Sequence, residues 1–265
     1  MAEHDERIAA GVDVGTECVK AVITAEDGQV LGRAVMPTRG YFEACVYEVL
    51  AAALDDAQRK PEALAGIGAT GFGMECVPSS TVTLTEPVAH ARGAFHHMKR
   101  AMTLVNIGGR DPHVIGVDAA GRRTSARGAR RCALGIGSFL MFTARHLDVS
   151  PTRLQELASA AEGRKARVSS YCSVFSGSEV LERLREGSTR EEIALGCMHS
   201  IAERIIEIGG FEAPVVICGG VVEYFPGVLA ALEAQSGISV ETVPDAIFTG
   251  ALGASLSVFR PVMES

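Results

Sequence analysis

The chain has 265 residues, 47% of them hydrophobic, and a formal net charge of −7 at pH 7. A chain of this size can bury a substantial core and suits either one large domain or two lobes. The negative balance excludes a general nucleic-acid footprint, because nothing in the overall charge would attract phosphate backbones.

The cysteine count and the N-terminal sequence bear on the cellular compartment of the protein. The N-terminus, MAEHDER, is polar, and no apolar run approaches the ~18 residues that a membrane helix needs. We therefore expect a cytoplasmic protein with no membrane and no nucleic-acid partner. The seven cysteines are expected to be reduced thiols or cluster ligands, since the odd number leaves at least one unpaired.

The first hundred residues predict strands that alternate with helices, which is typical of an α/β sheet. A turn at Asp27-Gly28 joins two β-rich runs into a hairpin. Helices are predicted over 42–59, where Pro61 ends the pattern, and over 87–100. The predicted strands of this half lie at 8–14, 19–24, 30–35 and 65–69.

The pattern begins again near Leu104. Strand, glycine, aspartate, strand, turn and strand recur in the same order, which we interpret as a duplicated α/β lobe. We expect an N-terminal lobe over 1–100, with a C-terminal helix at 246–265 packing back onto it, and a C-terminal lobe over 101–245. The remaining predicted elements are strands at 114–117, 122–127, 214–218 and 238–243 and helices at 133–147, 151–161, 178–185, 189–209, 222–235 and 246–258.

The first motif that carries chemistry is Gly11-Val12-Asp13-Val14-Gly15-Thr16, at a turn between two predicted strands. Glycines let the backbone approach phosphate oxygens, and successive amide N–H groups can face an anion. A carboxylate at Asp13 then makes sense as a partner of Mg²⁺ through bound waters, with Lys20 near enough to offset charge. The alternative is a hairpin bend in which the aspartate caps a turn.

Two further motifs match the first. Asp111 follows Gly108 and Gly109 at the corresponding place of the repeat, so that the two carboxylates are expected to face one another across a nucleotide cleft. The glycine pair Gly219 and Gly220 follows a buried-type strand and opens a helix, a position suited to close packing against a nucleotide, or else a simple strand–helix turn. Three such motifs in order favour ATP binding over the plain structural explanations.

The spaced set resembles the phosphate 1, phosphate 2 and adenosine motifs of the actin, sugar-kinase and heat-shock-protein superfamily. The resemblance covers about residues 8–258. It implies two actin/sugar-kinase-like (ribonuclease H-like) α/β lobes with a nucleotide cleft between them. The small-residue run from Thr249 to Ala254 is similar to the helix by which such folds pack their lobes together.

Within that superfamily, the blocks at 89–94, 131–140 and 171–180 are similar to the ATP-dependent electron activases. These are the activators of 2-hydroxyacyl-CoA dehydratases and the ATPase subunits of class I benzoyl-CoA reductase. The resemblance implies that each chain contributes two cysteines, here Cys132 and Cys172, to a [4Fe–4S] cluster shared with a second ATPase chain. Independently, a helix N-terminus beside Arg130 and Arg131 would favour a thiolate at Cys132.

Departures from the activator pattern point to the D-type reductase subunit. The chain has Glu17 where activators continue a Gly-Ser-Thr run, Arg110 where they have glutamine, and an altered block around Cys132. We therefore expect a sister ATPase subunit across a pseudo-two-fold interface. The resemblance also implies ferredoxin as the electron donor and cluster-bearing catalytic subunits that reduce an aromatic acyl-CoA.

The sequence-based hypothesis is thus an ATPase whose hydrolysis pushes electrons through the cluster. Asp13 and Asp111 are the expected catalytic carboxylates. A small-molecule kinase and a nucleotide-sensing interaction protein remain alternatives, because fold alone does not decide function. The expected nucleotide-binding residues are Gly11, Gly15, Thr16, Lys20, Gly108, Gly109, Gly219 and Gly220.

Overall fold

The structure is a computed structural model and describes residues 7–128, 135–169 and 173–260. The chain divides into two compact units. The first comprises residues 1–102, 115–125 and 243–265, and the second comprises residues 103–114 and 126–242.

The first unit is built on a mixed five-stranded sheet. Its strands are β1 (Ile8–Val14), β2 (Cys18–Ala25), β3 (Val30–Pro37), β4 (Leu64–Thr70) and β5 (Val82–Thr83). They lie in the order β3-β2-β1-β4-β5, where β1, β2 and β3 pair antiparallel and β4 is parallel to both β1 and β5. The short strand β5 was not predicted from the sequence, because two residues carry no measurable alternation.

Strand β1 is buried on both faces. Its even-numbered residues, such as Val12 and Val14, pack with the helix α1 (Phe42–Asp56) in one hydrophobic cluster. Its odd-numbered residues face the helix α9 (Thr249–Phe259), where Ser255 donates a hydrogen bond to the carbonyl of Ala9. Because side chains alternate along a strand, Asp13 lies on the α9 face.

A second helix of this unit, α2 (Glu86–Met98), packs closely against α9. A Cβ atom at Gly93 would collide with the carbonyl of Thr249, and one at Gly253 would collide with the carbonyl of Ala89. Only glycine at these two positions lets the helix backbones approach so closely. The small residues of α9 therefore serve packing against β1 and α2 within the first unit.

A second five-stranded sheet is formed by β6 (Met102–Asn106), β7 (His113–Val117), β8 (Arg123–Gly128), β9 (Val215–Cys218) and β10 (Val240–Thr242). Its strands lie in the order β10-β9-β6-β7-β8, and the pairs β10–β9 and β9–β6 are parallel. The remaining helices are α3 (Ile136–His146), α4 (Pro151–Ala160), α5 (Ser173–Arg185), α6 (Arg190–Ile208), α7 (Gly220–Tyr224) and α8 (Gly227–Ser236). The long helix α6 supplies much of the core of the second unit, and a capping box formed by Thr189 and Glu192 fixes its start.

The structure corrects several predicted element bounds. The helix predicted over 222–235 is two helices, α7 and α8, separated at Phe225 and Pro226. A residue that precedes proline avoids the helical region, and Phe225 has φ −132° and ψ 66°. The helix predicted over 42–59 ends at Asp56, shortly before Gln58 with φ 53°, and the one predicted from residue 178 begins at Ser173.

Candidate functional site

Asp13 and Lys20 form a buried ion pair at the end of β1. The two residues are register partners in the antiparallel β1–β2 pair, and Lys20 Nζ donates to Asp13 Oδ2 at 3.0 Å. Their exposed fractions are 5% and 9%. The β1–β2 hairpin thus places Lys20, the cation expected from the sequence, directly beside Asp13, the expected carboxylate.

Burial alone would lower the pKa of Lys20, since it penalises the charged ammonium. The charge and hydrogen bond of Asp13, together with contributions from Cys18 and Glu86, outweigh that penalty, so the pKa of Lys20 is raised above its ordinary value. Lys20 is consequently a fixed positive charge throughout the physiological range.

Two glycines lie against the Asp13 carboxylate, where a side chain would come too close to its oxygens. A Cβ atom at Gly71 would lie 2.5 Å from Asp13 Oδ1, and one at Gly250 would lie 3.1 Å from Asp13 Oδ2. Gly71 also has φ +90°, a conformation that favours glycine. Neither glycine was predicted as a site residue, and both come from parts of the sequence remote from the 11–16 motif.

Helix α2 contributes two polar residues to the same region. His90 is only 4% exposed, and its Nε2 lies 3.1 Å from the position of a Cβ atom at Gly250. Glu86 lies one helical turn earlier and interacts electrostatically with Lys20. Neither was predicted as a site residue, although His90 lies in the 89–94 block and the spacing of four within a helix places the two on one face.

The turn after Asp13 is anchored by hydrogen bonds. Gly15 N donates to the carbonyl of Cys18 at 3.1 Å, and Thr38 Oγ1 donates to the carbonyl of Gly15 at 2.8 Å. Gly15 and Thr16 are half-buried beside the ion pair. Gly11 lies deeper in β1, where a Cβ atom would collide with the carbonyl of Ala251, so its local role is helix packing.

In the second unit, Asp111 follows the carboxyl end of β6. Its side chain is 14% exposed, and its Oδ2 lies 3.4 Å from Nε of Arg110. The loop that precedes it starts at the buried Ile107, whose N–H donates to the carbonyl of Cys218 at 2.9 Å. Gly108 and Gly109 belong to this loop, and a Cβ atom at Gly108 would contact nothing within 4 Å.

The glycine pair after β9 lies against the same loop. Gly219 has φ +105°, and a Cβ atom there would collide with the carbonyl of Ile107. The N–H of Val221 donates to that carbonyl at 3.1 Å. Within the second unit, the structure thus brings Gly219 and Gly220 next to the loop that carries Asp111.

The start of α3 is hydrogen-bonded to the Asp111 loop. Ile136 N donates to the carbonyl of Arg110 at 3.0 Å, and Gly137 N donates to the carbonyl of Gly109 at 2.9 Å. Gly135 has φ +78°, and a Cβ atom there would lie 2.6 Å from the same Gly109 carbonyl. A displacement of this loop would therefore reach the first turn of α3 directly.

The predicted cluster ligands Cys132 and Cys172 lie outside the described residues. Of the other cysteines, Cys45, Cys197 and Cys218 are buried. Cys18 and Cys76 are half-buried. In the described ranges, no group of three or more histidine, cysteine, aspartate or glutamate side chains is arranged to hold a metal ion.

Burial raises the pKa of the Cys197 thiol to about 12, an effect that its hydrogen bond with Thr143 opposes. A thiol held in its neutral form is a poor ligand for iron.

None of the helices in the described part of the chain is both long enough and apolar enough to cross a membrane.

Known proteins resemble this chain over nearly its whole length. The chain is 32% identical to the (R)-2-hydroxyglutaryl-CoA dehydratase activating ATPase of Acidaminococcus fermentans, over 94% of this chain and 96% of that protein. It is also 32% identical to the activator of lactoyl-CoA dehydratase of Anaerotignum propionicum, over 96% and 98%. Identity to the D-type subunit of benzoyl-CoA reductase from Thauera aromatica is 26%, over 94% and 92%.

Two solved structures resemble this chain over nearly its whole length. The component A of (R)-2-hydroxyglutaryl-CoA dehydratase from A. fermentans superposes with a TM-score of 0.86 at 30% identity, over 96% of this chain and 98% of that one. The activator of 2-hydroxyisocaproyl-CoA dehydratase from Clostridium difficile, solved with bound ADPNP, gives 0.84 at 28% identity, over 95% and 94%.

A ROK family glucokinase from Streptomyces griseus gives a TM-score of 0.58 at 14% identity, over 94% of this chain and 98% of that one, which shows a shared fold alone. The sugar-kinase-like α/β fold predicted from the sequence is thereby confirmed. A family model matches residues 10–258 of the sequence. The chain belongs to the BadF/BadG/BcrA/BcrD ATPase family.

Proposed function

We propose that this protein hydrolyses MgATP and uses the hydrolysis to drive electrons into a partner enzyme that acts on a CoA ester. Family membership supports the ATPase activity, and the two relatives at 32% identity are named as dehydratase activators. The observation that carries the coupling is the hydrogen-bonded contact between the Asp111 loop and the start of α3.

The residues around Asp13 fit a magnesium–phosphate group. Carboxylate oxygens and their bound waters are the ligands that Mg²⁺ prefers, and Lys20 Nζ, which donates to Asp13 Oδ2, supplies a cation beside them for phosphate oxygens. Bound Mg²⁺ would neutralise charge on the phosphates. Lys20, Gly15 and Thr16 would contact phosphate oxygens from the adjoining turn.

Asp111, with Gly108 and Gly109, is proposed as the second phosphate-binding loop. Gly219 and Gly220 lie against that loop and are proposed to adjoin the adenosine. When phosphate leaves, the Asp111 loop loses a charged partner. Because the carbonyls of Gly109 and Arg110 accept hydrogen bonds from α3, the loop and the helix start would shift together.

The proposed electron path uses Cys132 and Cys172. Two cysteines per chain supply half of the ligands that a [4Fe–4S] cluster takes, so a second ATPase chain would supply the others. In the sequence, Cys132 comes four residues before Ile136, the residue at which α3 begins and contacts the Asp111 loop. A shift of the start of α3 is the proposed means by which hydrolysis changes the environment of the cluster.

Two forms of this function differ in the partner. The higher identity to dehydratase activators favours an activator of a 2-hydroxyacyl-CoA dehydratase. Glu17 and Arg110 favour the alternative, a D-type subunit of a benzoyl-CoA reductase with a non-identical sister chain, a ferredoxin donor and cluster-bearing catalytic subunits.

Anaerobic purification from the native host distinguishes the two forms. Iron, sulfide and subunit composition are measured on the complex, together with ATP turnover. We expect iron and sulfide to co-purify with an ATPase. One kind of chain indicates the activator, whereas two related chains indicate the reductase subunit. An iron-free preparation that phosphorylates a small molecule would instead identify a kinase.

A further inference from the structure

A cavity of about 730 Å³ lies within the second unit. Its wall is formed by the segment 165–169 and by the helices α5 and α6. Of the described residues that line it, none belongs to the proposed nucleotide site. Pockets that bind small molecules typically have volumes of about 300–1,000 Å³, so this cavity has room for such a ligand.

Packing and hydrogen bonds hold the wall of the cavity in place. A Cβ atom at Gly196 of α6 would lie 2.2 Å from the carbonyl oxygen of Ala166, so the segment 165–169 packs closely on that helix. Ser200 Oγ donates to the carbonyl of Ser169 at 2.8 Å, which fixes the end of the segment to α6. Ser169 N donates to Glu179 Oε2 at 2.5 Å, which joins the segment to α5. The cavity is therefore formed before any ligand binds.

Basic side chains outnumber acidic ones around the cavity. The basic ones are Lys165, Arg167 and Arg183, and the acidic ones are Glu179 and Glu203. The carboxylate of Glu179 already accepts the hydrogen bond from the backbone of the segment. A concave site with an excess of positive charge attracts anions, although the whole chain carries a net charge of −7.

Lys165 is held at the cavity wall by a histidine. Its Nζ donates to His199 Nδ1 at 3.1 Å. Burial and the charge of Lys165 lower the pKa of His199, so the imidazole is neutral at pH 7 and its Nδ1 accepts. This bond uses one of the three N–H groups of the ammonium, and the charge of Lys165 has no carboxylate partner in it.

Arg183 supplies a donor for which the described residues offer no acceptor. Its Nη1 forms an ion pair with Glu186, but its Nε is buried and has no hydrogen-bond partner in the described part of the chain. A buried donor without an acceptor is unfavourable, and guanidinium groups are well suited to phosphate oxygens. A phosphate at the cavity wall would give Arg183 Nε an acceptor.

We propose that this cavity binds the diphosphate group of a small molecule, with Arg167 and Arg183 as the phosphate-binding residues and Lys165 as a further cation. Three cations balance more negative charge than one carboxylate carries, and the volume exceeds that of a single small anion. The site is separate from the proposed ATP site, and the inference does not depend on the proposed function.

The test is isothermal titration calorimetry with inorganic pyrophosphate, in the presence of saturating MgADPNP to fill the proposed nucleotide site. Pyrophosphate should bind to the wild-type protein. Its Kd should rise about tenfold or more in Arg183→Gln and in Arg167→Gln, because each change removes a charged hydrogen-bond donor. Coenzyme A, which contains a diphosphate, is the second probe. Tighter binding than that of pyrophosphate identifies an organic ligand, whereas equal or weaker binding identifies the inorganic ion.

Arg185→Gln is the matched control. Arg185 is an exposed arginine of the same helix, pairs with Glu182 and is not among the described residues that line the cavity. It should leave the Kd within about twofold of the wild-type value. The proposal is overturned if pyrophosphate does not bind to the wild type, if either cavity variant keeps the wild-type affinity, or if Arg185→Gln weakens binding equally. Should Arg183→Gln fail to fold, Arg167→Gln decides by the same criteria, because Arg167 is exposed.

Discussion

Lys20 and Asp13 occupy paired positions on neighbouring antiparallel strands, and their side chains meet in a buried ion pair of 3.0 Å. An ammonium and a carboxylate removed from water stabilise each other, and the loss of one leaves the other without compensation. The pair thus combines a structural and a proposed phosphate-binding role.

Lys20→Met should destabilise the protein by about 3 kcal/mol, because it leaves the Asp13 carboxylate buried without its cation. Since the pKa of Lys20 is raised, its stabilisation is full below the ordinary lysine pKa and is lost only as the pH rises through the higher folded-state value. The destabilisation should therefore stay constant between about pH 6 and pH 9. Urea unfolding at several pH values measures this.

The control for that variant is Arg153→Met, which removes an exposed ion pair with Glu156. It should change the unfolding free energy by less than about 1 kcal/mol. If both variants lowered the free energy of unfolding equally, burial would add nothing to the stabilisation by the Lys20–Asp13 pair.

Asp13→Asn and Asp111→Asn should each lower ATP turnover by about tenfold or more, because a neutral amide is a poor substitute for a carboxylate beside Mg²⁺. Thermal unfolding should show both variants folded, with a lower midpoint for Asp13→Asn because it leaves the buried Lys20 ammonium without its carboxylate. Asp27→Asn, in the exposed turn between β2 and β3, is the control and should keep wild-type turnover. Unchanged turnover in both site variants would exclude the proposed carboxylates.

Part of this site could be predicted from the sequence, and part could not. Asp13 and Lys20 are seven residues apart in a hairpin, so local strand signals suffice to bring them together. Gly71 and Gly250 reach Asp13 only through sheet order and helix packing, and no local periodicity reports contacts of that separation. The break between α7 and α8 could have been predicted, since Pro226 marks it in the sequence.

Gly135→Ala should uncouple electron delivery from ATP hydrolysis. Its new Cβ atom would press on the Gly109 carbonyl that accepts from α3. ATP turnover should persist while ATP-driven electron transfer falls by about tenfold, since the α3 start no longer follows the loop. Both rates are measured on the same anaerobic preparation.

Gly163→Ala separates this effect from backbone strain. Gly163 has φ +81°, close to the φ +78° of Gly135, but a Cβ atom there would contact nothing within 4 Å. Alanine at either position costs about 1 kcal/mol through its positive φ. If Gly163→Ala impaired electron delivery as much as Gly135→Ala, strain and not the loop contact would explain the loss.

Cys197 should resist alkylation in the folded protein. Burial raises the pKa of its thiol to about 12, so the reactive thiolate is scarce at pH 8 and the sulfur is also inaccessible. Iodoacetamide labelling followed by mass spectrometry should modify Cys197 only after unfolding. Rapid labelling in the native state would contradict the buried position of α6.

Cys132 and Cys172 are the residues through which the proposed coupling of ATP hydrolysis to electron delivery must pass. The direct measurement compares iron content, ATP binding and ATP-dependent electron transfer in anaerobically prepared Cys132→Ser and Cys172→Ser, with Cys45→Ser and Cys197→Ser as buried-cysteine controls. Serine is a much poorer ligand for iron, so the first two variants should lose iron and electron transfer but still bind ATP, while the controls keep all three. Full iron in the Cys132 and Cys172 variants, or equal loss in the controls, would contradict the proposed coupling.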